Sequence, residues 1–209
     1  MLEAFLLGAF FLAILMLVLI LFLQKVAREE YKRYVRNGVA PSSLSVHTYK
    51  PVNGTIPLRG WLVLEAGYNL AKKHSCPLIL SVGNTGGLVT EACIYKAGAH
   101  QRFGTDVQIL VGDDVTVRET SGEVGQTLAM CRSIASRRHL VIGLAPHIAR
   151  IRLIWRKFNF EQNPEIDFLP VYGPWKYWIW EAVMLCLHFI VPPGSRAQWI
   201  LLNIVRRKG

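Results

Sequence analysis

An uncharged run near the N-terminus limits what this chain can fold into more than any other feature. The 20 residues from Ala4 to Leu23 are almost entirely Leu, Phe, Ile, Val, Ala and Met. A helix of about 20 such residues is long enough to cross a hydrocarbon core of roughly 30 Å. Glu3 stands where a secretory signal peptide has a basic cluster, and no small-residue cleavage site follows Leu23. The sequence therefore predicts an uncleaved transmembrane anchor over residues 1–23.

The charges on the two sides of this run differ. No Lys or Arg precedes it, and several basic residues follow it closely. These are Lys25, Arg28, Lys32, Arg33 and Arg36. They lie in a predicted helical continuation that Asn37-Gly38 and Pro41 end, which makes residues 24–42 a basic juxtamembrane segment. The positive-inside rule then predicts a single-pass protein of the cytoplasmic membrane with its bulk in the cytoplasm.

The net charge indicates anionic partners. Lys and Arg total 24 against 14 Asp and Glu, a formal charge of +10. From charge alone, such an excess suits membrane lipid, an anionic small molecule or lipid-linked phosphate, or nucleic acid. Nucleic acid is not the expected partner, because much of the excess is juxtamembrane, where lipid head groups explain it better. The four cysteines show no CxxC spacing, so neither a metal site nor a redox pair is indicated, and small buried side chains are expected.

Downstream of the basic segment, strand-like and helix-like stretches alternate. The strand-like stretches are short and continuously apolar, as strands covered on both faces are. They are Leu44–Tyr49, Pro77–Val82, Val107–Val111, Leu140–Leu144 and Ile166–Val171. The helix-like stretches are Leu58–His74, Leu88–Phe103, Ser121–Arg137 and His147–Phe158. This alternation predicts an α/β domain over residues 43–173, with an open, mostly parallel sheet of about five strands and flanking helices.

The last part of the chain, residues 174–209, has a different composition. The stretch Trp175–Val191 is apolar and aromatic, but Glu181 and His188 interrupt it, and it is short for a second membrane span. The tail after it combines Trp and Leu with a basic end, which suits a membrane interface. The alternative is a C-terminal helix packed on the sheet with its Trp and Leu side chains in the core.

Unusual residues follow the first of three predicted strand ends. Ligands of open parallel sheets sit beyond the carboxyl ends of the strands, near helix N-termini that favour anions. After the strand that contains Leu78, Ser81, Gly83 and Asn84 precede a Gly-Gly pair, and these residues let backbone amides approach a ligand closely. They are candidate ligand-binding residues. The alternative is that a sharp strand-to-helix connection needs glycine for its geometry alone.

Two further strand ends carry polar side chains. Asp113 and Asp114 follow the next strand as candidate bases, with Ser121 at the start of the helix after them. The alternative for the two aspartates is a solvated acidic loop. Past the following strand, His147 and Arg150 lie one helical turn apart and can face the same cleft. An imidazole beside a guanidinium suits a phosphate or a carboxylate, and His147 is also a catalytic candidate.

These strand ends resemble the YdcF, SanA and ElyC group of bacterial envelope-associated proteins. The group's pattern begins with a strand ending in Ser-Gly-Gly and ends with a strand leading to His-x-x-Arg. Here Leu78–Gly83 keeps the serine and one glycine, with Val82 in place of the other, and His147-Ile148-Ala149-Arg150 matches the second motif completely. The resemblance covers roughly residues 43–191. It implies a Rossmann-like domain behind a hydrophobic segment.

The group's middle motif, Glu-x-x-Ser-x-x-Thr-x-Glu-Asn, is only partly kept. Ser121 aligns, but Arg118 replaces the first acid, Val124 the threonine and Gln126-Thr127 the Glu-Asn pair. The arginine that the group has before the first motif is missing, and Arg59 is a candidate stand-in. Because Arg118 inverts the local charge, an acid–base role does not carry over to it. Binding of a more anionic ligand and loss of catalysis are both consistent with these departures.

The resemblance implies a membrane-anchored protein of envelope biogenesis that binds or acts on a phosphate-bearing lipid or cell-wall intermediate. The amides after Ser81, with Ser121, His147 and Arg150, would hold the anion, and Asp113 or Asp114 would act as the base. The alternative is a non-catalytic ligand-binding module or membrane scaffold, with S-adenosylmethionine binding as a weaker option. No metal site is indicated, the sequence does not support a dinucleotide cofactor, and the cofactor is left open. The group's members imply a domain outside the cytoplasmic membrane, in conflict with the positive-inside rule.

Overall fold

The computed structural model describes residues 2–81, 90–112, 120–158 and 164–191. Two compact units divide the chain: one combines Met1–Leu23 with Pro174–Gly209, and the other is Gln24–Gly173. The second unit includes the basic segment 24–42 as well as the α/β region.

The first unit contains most of one helix and all of another. Helix α1 (Leu2–Asn37) begins in this unit, and α6 (Lys176–Ile190) belongs to it entirely. Over its described residues α1 is long and apolar enough to cross a membrane, and it is the one such helix in the part of the chain that the structure describes. Its large apolar side chains, such as Phe10 and Leu17, are exposed. Helix α6 has 15 residues, fewer than the roughly 20 that a membrane span needs.

A five-stranded parallel sheet forms the centre of the second unit. Its strands are β1 (Ser43–Val46), β2 (Leu78–Leu80), β3 (Ile109–Val111), β4 (Arg138–Leu144) and β5 (Glu165–Val171), in the order β3-β2-β1-β4-β5. The helices between them are α2 (Leu58–His74), α3 (Glu91–Phe103), α4 (Thr120–Ser133) and α5 (Ala145–Lys157). All neighbouring strands pair in parallel. The α/β architecture that the sequence predicts is confirmed.

Helices cover both faces of this sheet. Because successive strand residues point to opposite faces, Val141 and Ile142 of β4 meet different layers. Val141 belongs to a buried cluster with side chains of α4 and α5, including Val124 and Ile148. Ile142 faces α2, where Gly67 lies so close to Val46 that a Cβ atom at Gly67 would overlap the valine side chain. The strands are therefore buried on both sides, which explains their continuous apolar runs.

Strand β1 ends earlier than predicted. It stops at Val46, whereas the apolar pattern extends the strand to Tyr49. The reason is a distant side chain: the Tyr95 hydroxyl accepts a hydrogen bond from the Tyr49 backbone amide at 2.9 Å and donates one to the Tyr49 carbonyl at 2.7 Å. These bonds replace strand pairing for Tyr49, whereas the His47 amide still donates to the Ile142 carbonyl of β4 at 3.0 Å. His47, Thr48 and Tyr49 follow the carboxyl end of β1.

Helix α4 is also shorter than predicted. It ends at Ser133 instead of Arg137, and β4 begins at Arg138 instead of Leu140. Ala135 takes a left-handed conformation with φ of 49°, and the Ser136 amide bonds back to the Cys131 carbonyl at 2.8 Å. A left-handed residue of this kind closes the end of a helix and frees the following residues to pair in the sheet.

The basic end of α1 contacts the α/β region through an ion pair and a hydrogen bond, each with a buried carboxylate. Ala27 and Glu30 are buried, and a Glu30 carboxylate oxygen lies 2.7 Å from Arg152 Nη1 on α5. The Asn37 side chain donates to Asp167 of β5 at 2.9 Å. Helix α1 ends at Asn37, as Gly38 with φ of 60° allows. These contacts place Gln24–Asn37 in the same unit as the sheet.

Candidate functional site

The strand order creates one topological switch point. The chain runs from β1 outward to β2 and β3, then returns to β4 on the other side of β1. In open α/β sheets the crevice outside the carboxyl ends of two such strands is the usual ligand site. His47, Thr48 and Tyr49 follow β1 here, and α5 with His147 and Arg150 follows β4.

His147 is buried and contacts two polar side chains. Its Nε2 lies 2.8 Å from Nη2 of Arg150, and its Nδ1 lies 3.1 Å from the Tyr49 hydroxyl. Since a guanidinium can only donate, Nε2 must accept, and the ring proton then sits on Nδ1 and points to the Tyr49 oxygen. Burial lowers the pKa of His147 well below 6.5, and the positive charge of Arg150 lowers it further. The imidazole is therefore neutral and orients Arg150.

A second guanidinium lies against the same tyrosine. Arg59, in the first turn of α2, has its Cζ 4.9 Å from the centre of the Tyr49 ring. Its charge also contributes to the lowered pKa of His147. Two arginines from different helices therefore flank the Tyr49–His147 pair. A guanidinium presents a planar array of donors that matches phosphate and carboxylate oxygens.

A carboxylate is linked to His147 through a second histidine, His47. The His47 and His147 rings meet edge to face with centroids 5.9 Å apart, and Nδ1 of His47 is 3.3 Å from a carboxylate oxygen of Glu123 on α4. The Trp155 indole donates to Nε2 of His47 at 3.4 Å. His47 therefore links α4 and α5 at the end of β1. We call His47, Tyr49, Glu123, His147 and Arg150 the switch-point cluster.

Ser81 connects β2 to the same helix. Its buried hydroxyl bonds to the hydroxyl of Thr127 on α4. The Thr127 hydroxyl donates its single proton to the Glu123 carbonyl at 2.8 Å, so it accepts from Ser81. The Ser81 hydroxyl thus holds β2 against α4.

The structure brings several of the predicted site residues to one edge of the sheet. Hydrogen bonds lead from Ser81 through Thr127 to the backbone of Glu123. The Glu123 side chain then leads through His47 to His147 and Arg150. Ser121 is in the first turn of α4, two residues before Glu123. Gly83, Asn84, Asp113 and Asp114 lie outside the described residues.

Sequence reasoning missed three members of the cluster. The apolar pattern includes His47 and Tyr49 in the first strand, with Tyr49 as its last residue, and Glu123 near Ser121 indicates only the start of a helix. The available signal was the polar run His47-Thr48-Tyr49 directly after a buried apolar stretch, which is the same kind of signal that marked Ser81 and His147. Arg59 was considered only as a stand-in for the arginine of the YdcF group.

A second buried histidine lies at the opposite end of β4. His139 Nδ1 is 2.7 Å from the Ser43 hydroxyl and 3.3 Å from Cys131 Sγ, and its Nε2 is 2.8 Å from the Ser45 hydroxyl. Its ring stacks on Trp155 with centroids 5.6 Å apart. Burial lowers the pKa of His139 to about 3, and His47 contributes to the shift. All of its hydrogen-bond partners here are uncharged, so this group joins β1, β4 and α4 within the core.

The cysteines give no sign of chemistry. All four are free thiols; Cys76 and Cys131 are buried, Cys186 is partly buried and Cys93 is exposed. Burial raises the pKa of both Cys76 and Cys131 to about 11, so these two thiols stay protonated. Within the ranges that the structure describes, no three His, Cys, Asp or Glu side chains are grouped to hold a metal ion.

The fold defines an α/β protein with a Rossmann-like, five-stranded parallel sheet and an N-terminal helix that is apolar enough to cross a membrane. No family model and no curated protein matches this chain.

Proposed function

We propose that this chain is a membrane-anchored protein of envelope biogenesis, of the YdcF, SanA and ElyC type. In this proposal it binds a phosphate-bearing lipid or cell-wall intermediate at the switch point of its sheet. One observation carries the proposal: Arg59 and Arg150 flank the Tyr49–His147 pair beyond the carboxyl ends of β1 and β4. Two guanidiniums at a switch point suit a phosphate better than an uncharged ligand.

The two arginines and His147 have different roles in this proposal. Arg150 and Arg59 donate to the phosphate oxygens, and charge-assisted bonds of this kind are shorter and stronger than neutral ones. His147 is a positioning residue, because its neutral Nε2 orients the Arg150 guanidinium. The first turn of α4, which contains Ser121, would add the N-terminus of a helix to the anion site. The amides after Ser81 are also proposed to bind the anion, and they lie outside the described residues.

The membrane part of the proposal depends on α1. Its apolar length fits a single-pass anchor in the cytoplasmic membrane, which would tether the chain to the bilayer that holds lipid-linked substrates. We place the α/β domain outside that membrane, since a substrate of the cell wall requires it. A topology reporter fused after Gly209 tests this placement, and reporter activity in the cytoplasm would contradict it.

A binding experiment tests the anion site. The full-length chain in detergent is titrated with an isoprenoid phosphate and with the matching isoprenoid alcohol, and binding is read from the thermal shift. We expect binding of the phosphate alone. Arg150→Gln and Arg59→Gln are each expected to weaken it about tenfold or more, because each removes a hydrogen bond from a charged group. Arg137→Gln, at an exposed position of the same charge, is the matched control.

The result that would overturn the proposal is equally definite. Equal binding of the phosphate and the alcohol, or phosphate binding that both arginine variants retain, would exclude Arg59 and Arg150 as the anion site.

A second candidate is a non-catalytic ligand-binding module. It is favoured by the way the acid–base groups are used: both ring nitrogens of His147 and both of His47 contact other side chains, and the Ser81 hydroxyl is bonded to Thr127. Nucleotides and S-adenosylmethionine belong in the same thermal-shift panel. A ligand that binds without being converted would support this candidate, and product formation that depends on Asp113 or Asp114 would contradict it.

A further inference from the structure

The basic end of α1 has two opposite faces. Lys25, Arg28, Lys32 and Arg36 recur at helical spacing and share about a quarter of the helix circumference. All four side chains are exposed. The opposite face contains Ala27, Glu30 and Tyr34, which are buried or partly buried. We call the four exposed basic residues the basic ridge.

The buried face fixes the direction in which the ridge points. Glu30 contacts Arg152 of α5 at 2.7 Å, and Asn37 bonds to Asp167 of β5 at 2.9 Å. Since one side of the helix is held against the α/β region, the opposite side with the basic ridge faces away from it. The ridge is about 16 Å long, from the helix rise per residue. Its face also includes one acid, Glu29, which pairs with Lys32 at 3.5 Å.

We infer that the basic ridge binds the head groups of anionic phospholipids. This inference rests on the membrane anchoring in the proposed function, and it concerns a surface that the phosphate site does not use. The apolar run ends at Leu23, and only Gln24 separates it from Lys25, so the first residues of the ridge enter the head-group region. Juxtamembrane Lys and Arg residues near an anionic surface each strengthen attraction to it.

Lipid fits the ridge better than nucleic acid does. The ridge is a single line of four cations, and this line continues an apolar helix. Lys25 and Arg28, nearest to the apolar run, are therefore expected to contribute more than Lys32 and Arg36, because electrostatic attraction to the surface falls off within a Debye length of roughly 8–10 Å.

The test uses the full-length chain in nanodiscs of equimolar phosphatidylcholine and phosphatidylglycerol. Native mass spectrometry then counts the phospholipids that stay bound to the released protein. Among the phospholipids that stay bound, we expect about five phosphatidylglycerol molecules for each phosphatidylcholine. A ratio of this size is what the attraction of one basic residue to an anionic head group produces. The variant K25Q/R28Q/K32Q/R36Q is expected to bring the ratio close to one. The variant K72Q/K73Q/R132Q/R137Q removes the same charge from other exposed positions and is expected to keep the enrichment.

Two further measurements separate the outcomes. Alkaline extraction of the chain from liposomes of the same composition tests insertion: release of the chain would refute the anchoring and the ridge together. An inserted chain with no lipid preference, or with a preference that both quadruple variants lose equally, would refute the ridge alone. A single-stranded oligonucleotide that displaces the bound phosphatidylglycerol would assign the ridge to nucleic acid instead. Retention of the wild-type thermal midpoint shows that the ridge variant is folded.

Discussion

His139 and His147 lie near the two ends of β4, and each is a buried imidazole whose nitrogens need hydrogen-bond partners. The two rings have partners of different kinds. Both rings are buried, and burial lowers the pKa of both. His139 bonds to the hydroxyls of Ser43 and Ser45, whereas His147 bonds to a tyrosine and to a guanidinium. A neutral imidazole can therefore either satisfy uncharged groups inside a core or orient a cation at its edge.

The partners of the two histidines indicate a structural role for His139 and a role at the candidate ligand site for His147. The hydroxyls around His139 are themselves buried, so their bonds contribute mainly to stability. Arg150 is only partly buried and lies at the switch point, where its orientation by His147 matters to a ligand. A buried histidine on β4 and another on α5 thus serve two purposes, which are distinguished by the charge of the partner.

The largest expected effect is acid sensitivity of the fold. Both folded-state pKa values lie below the unfolded value of 6.5, so below pH 6.5 the unfolded chain binds more protons than the native one. The contribution of the two neutral histidines to the free energy of unfolding is therefore fully present above pH 6.5. It decreases as the pH falls below 6.5, and for His139 the decrease continues to about pH 3. The expected slope is about 1.4 kcal/mol per pH unit for each histidine. Urea unfolding of the detergent-solubilised chain, followed by tryptophan fluorescence, measures this slope.

His139→Gln provides the comparison for the pH experiment. In this variant the free energy of unfolding is expected to depend less steeply on pH, because the contribution of one histidine is gone. Leu140→Ala is the control: it changes a buried residue and keeps both histidines, so it is expected to lower stability at every pH with the slope unchanged. An identical slope in wild type and His139→Gln would mean that the pKa of His139 is the same in the native and the unfolded state, and this would contradict the prediction.

Removal of the His139 ring has the next largest effect. His139→Ala leaves a cavity beside Trp155 and removes the hydrogen-bond partner of the buried Ser43 and Ser45 hydroxyls. We expect a loss of about 3 kcal/mol in the free energy of unfolding. Phosphate binding at the switch point is expected to stay unchanged once the protein is folded. A parallel loss of ligand affinity would show that the two histidines are not functionally distinct.

The smallest expected effect on stability comes from the other histidine. His147→Ala removes a buried ring and its hydrogen bonds to Tyr49 and to the partly buried Arg150, and we expect a loss of about 2 kcal/mol in the free energy of unfolding. Its effect on phosphate affinity is expected to be larger, about tenfold, because Arg150 loses its orientation.

His147→Gln distinguishes positioning from packing. The glutamine side chain has a carbonyl oxygen that can accept from Arg150, so it is expected to restore most of the affinity that His147→Ala loses. Equal losses in the alanine and glutamine variants would contradict the positioning role. Isothermal titration with the isoprenoid phosphate, at a pH above 6.5, measures all three proteins.

Much of the architecture could be predicted because it depends on local pattern. Helix α2 has the predicted bounds, Leu58–His74, and α1 ends at Asn37, where Asn-Gly was expected to stop it. The short apolar runs correctly indicated strands covered on both faces, and their alternation with helices indicated a parallel sheet. Hydrophobic periodicity and chain-breaking residues act over a few positions, so they are readable from the sequence.

The candidate site was less predictable because its members meet across the fold. The pattern extended the first strand to Tyr49, but a hydroxyl from Tyr95, 46 residues away, takes over the hydrogen bonds of that backbone. Glu123 carried no signal in its own surroundings, since its importance comes from contact with His47. The predicted residues Gly83, Asn84, Asp113 and Asp114 remain predictions.

The sequence alone determined an apolar N-terminal helix, a basic segment after it and a parallel α/β sheet, because burial and backbone conformation follow from local residue pattern. Only the tertiary structure decided where β1 ends, which helix faces which side of the sheet and which nitrogen of His147 carries the proton. Those features depend on hydrogen-bond partners that are close in space and far apart in the chain, and residue pattern does not specify such pairs.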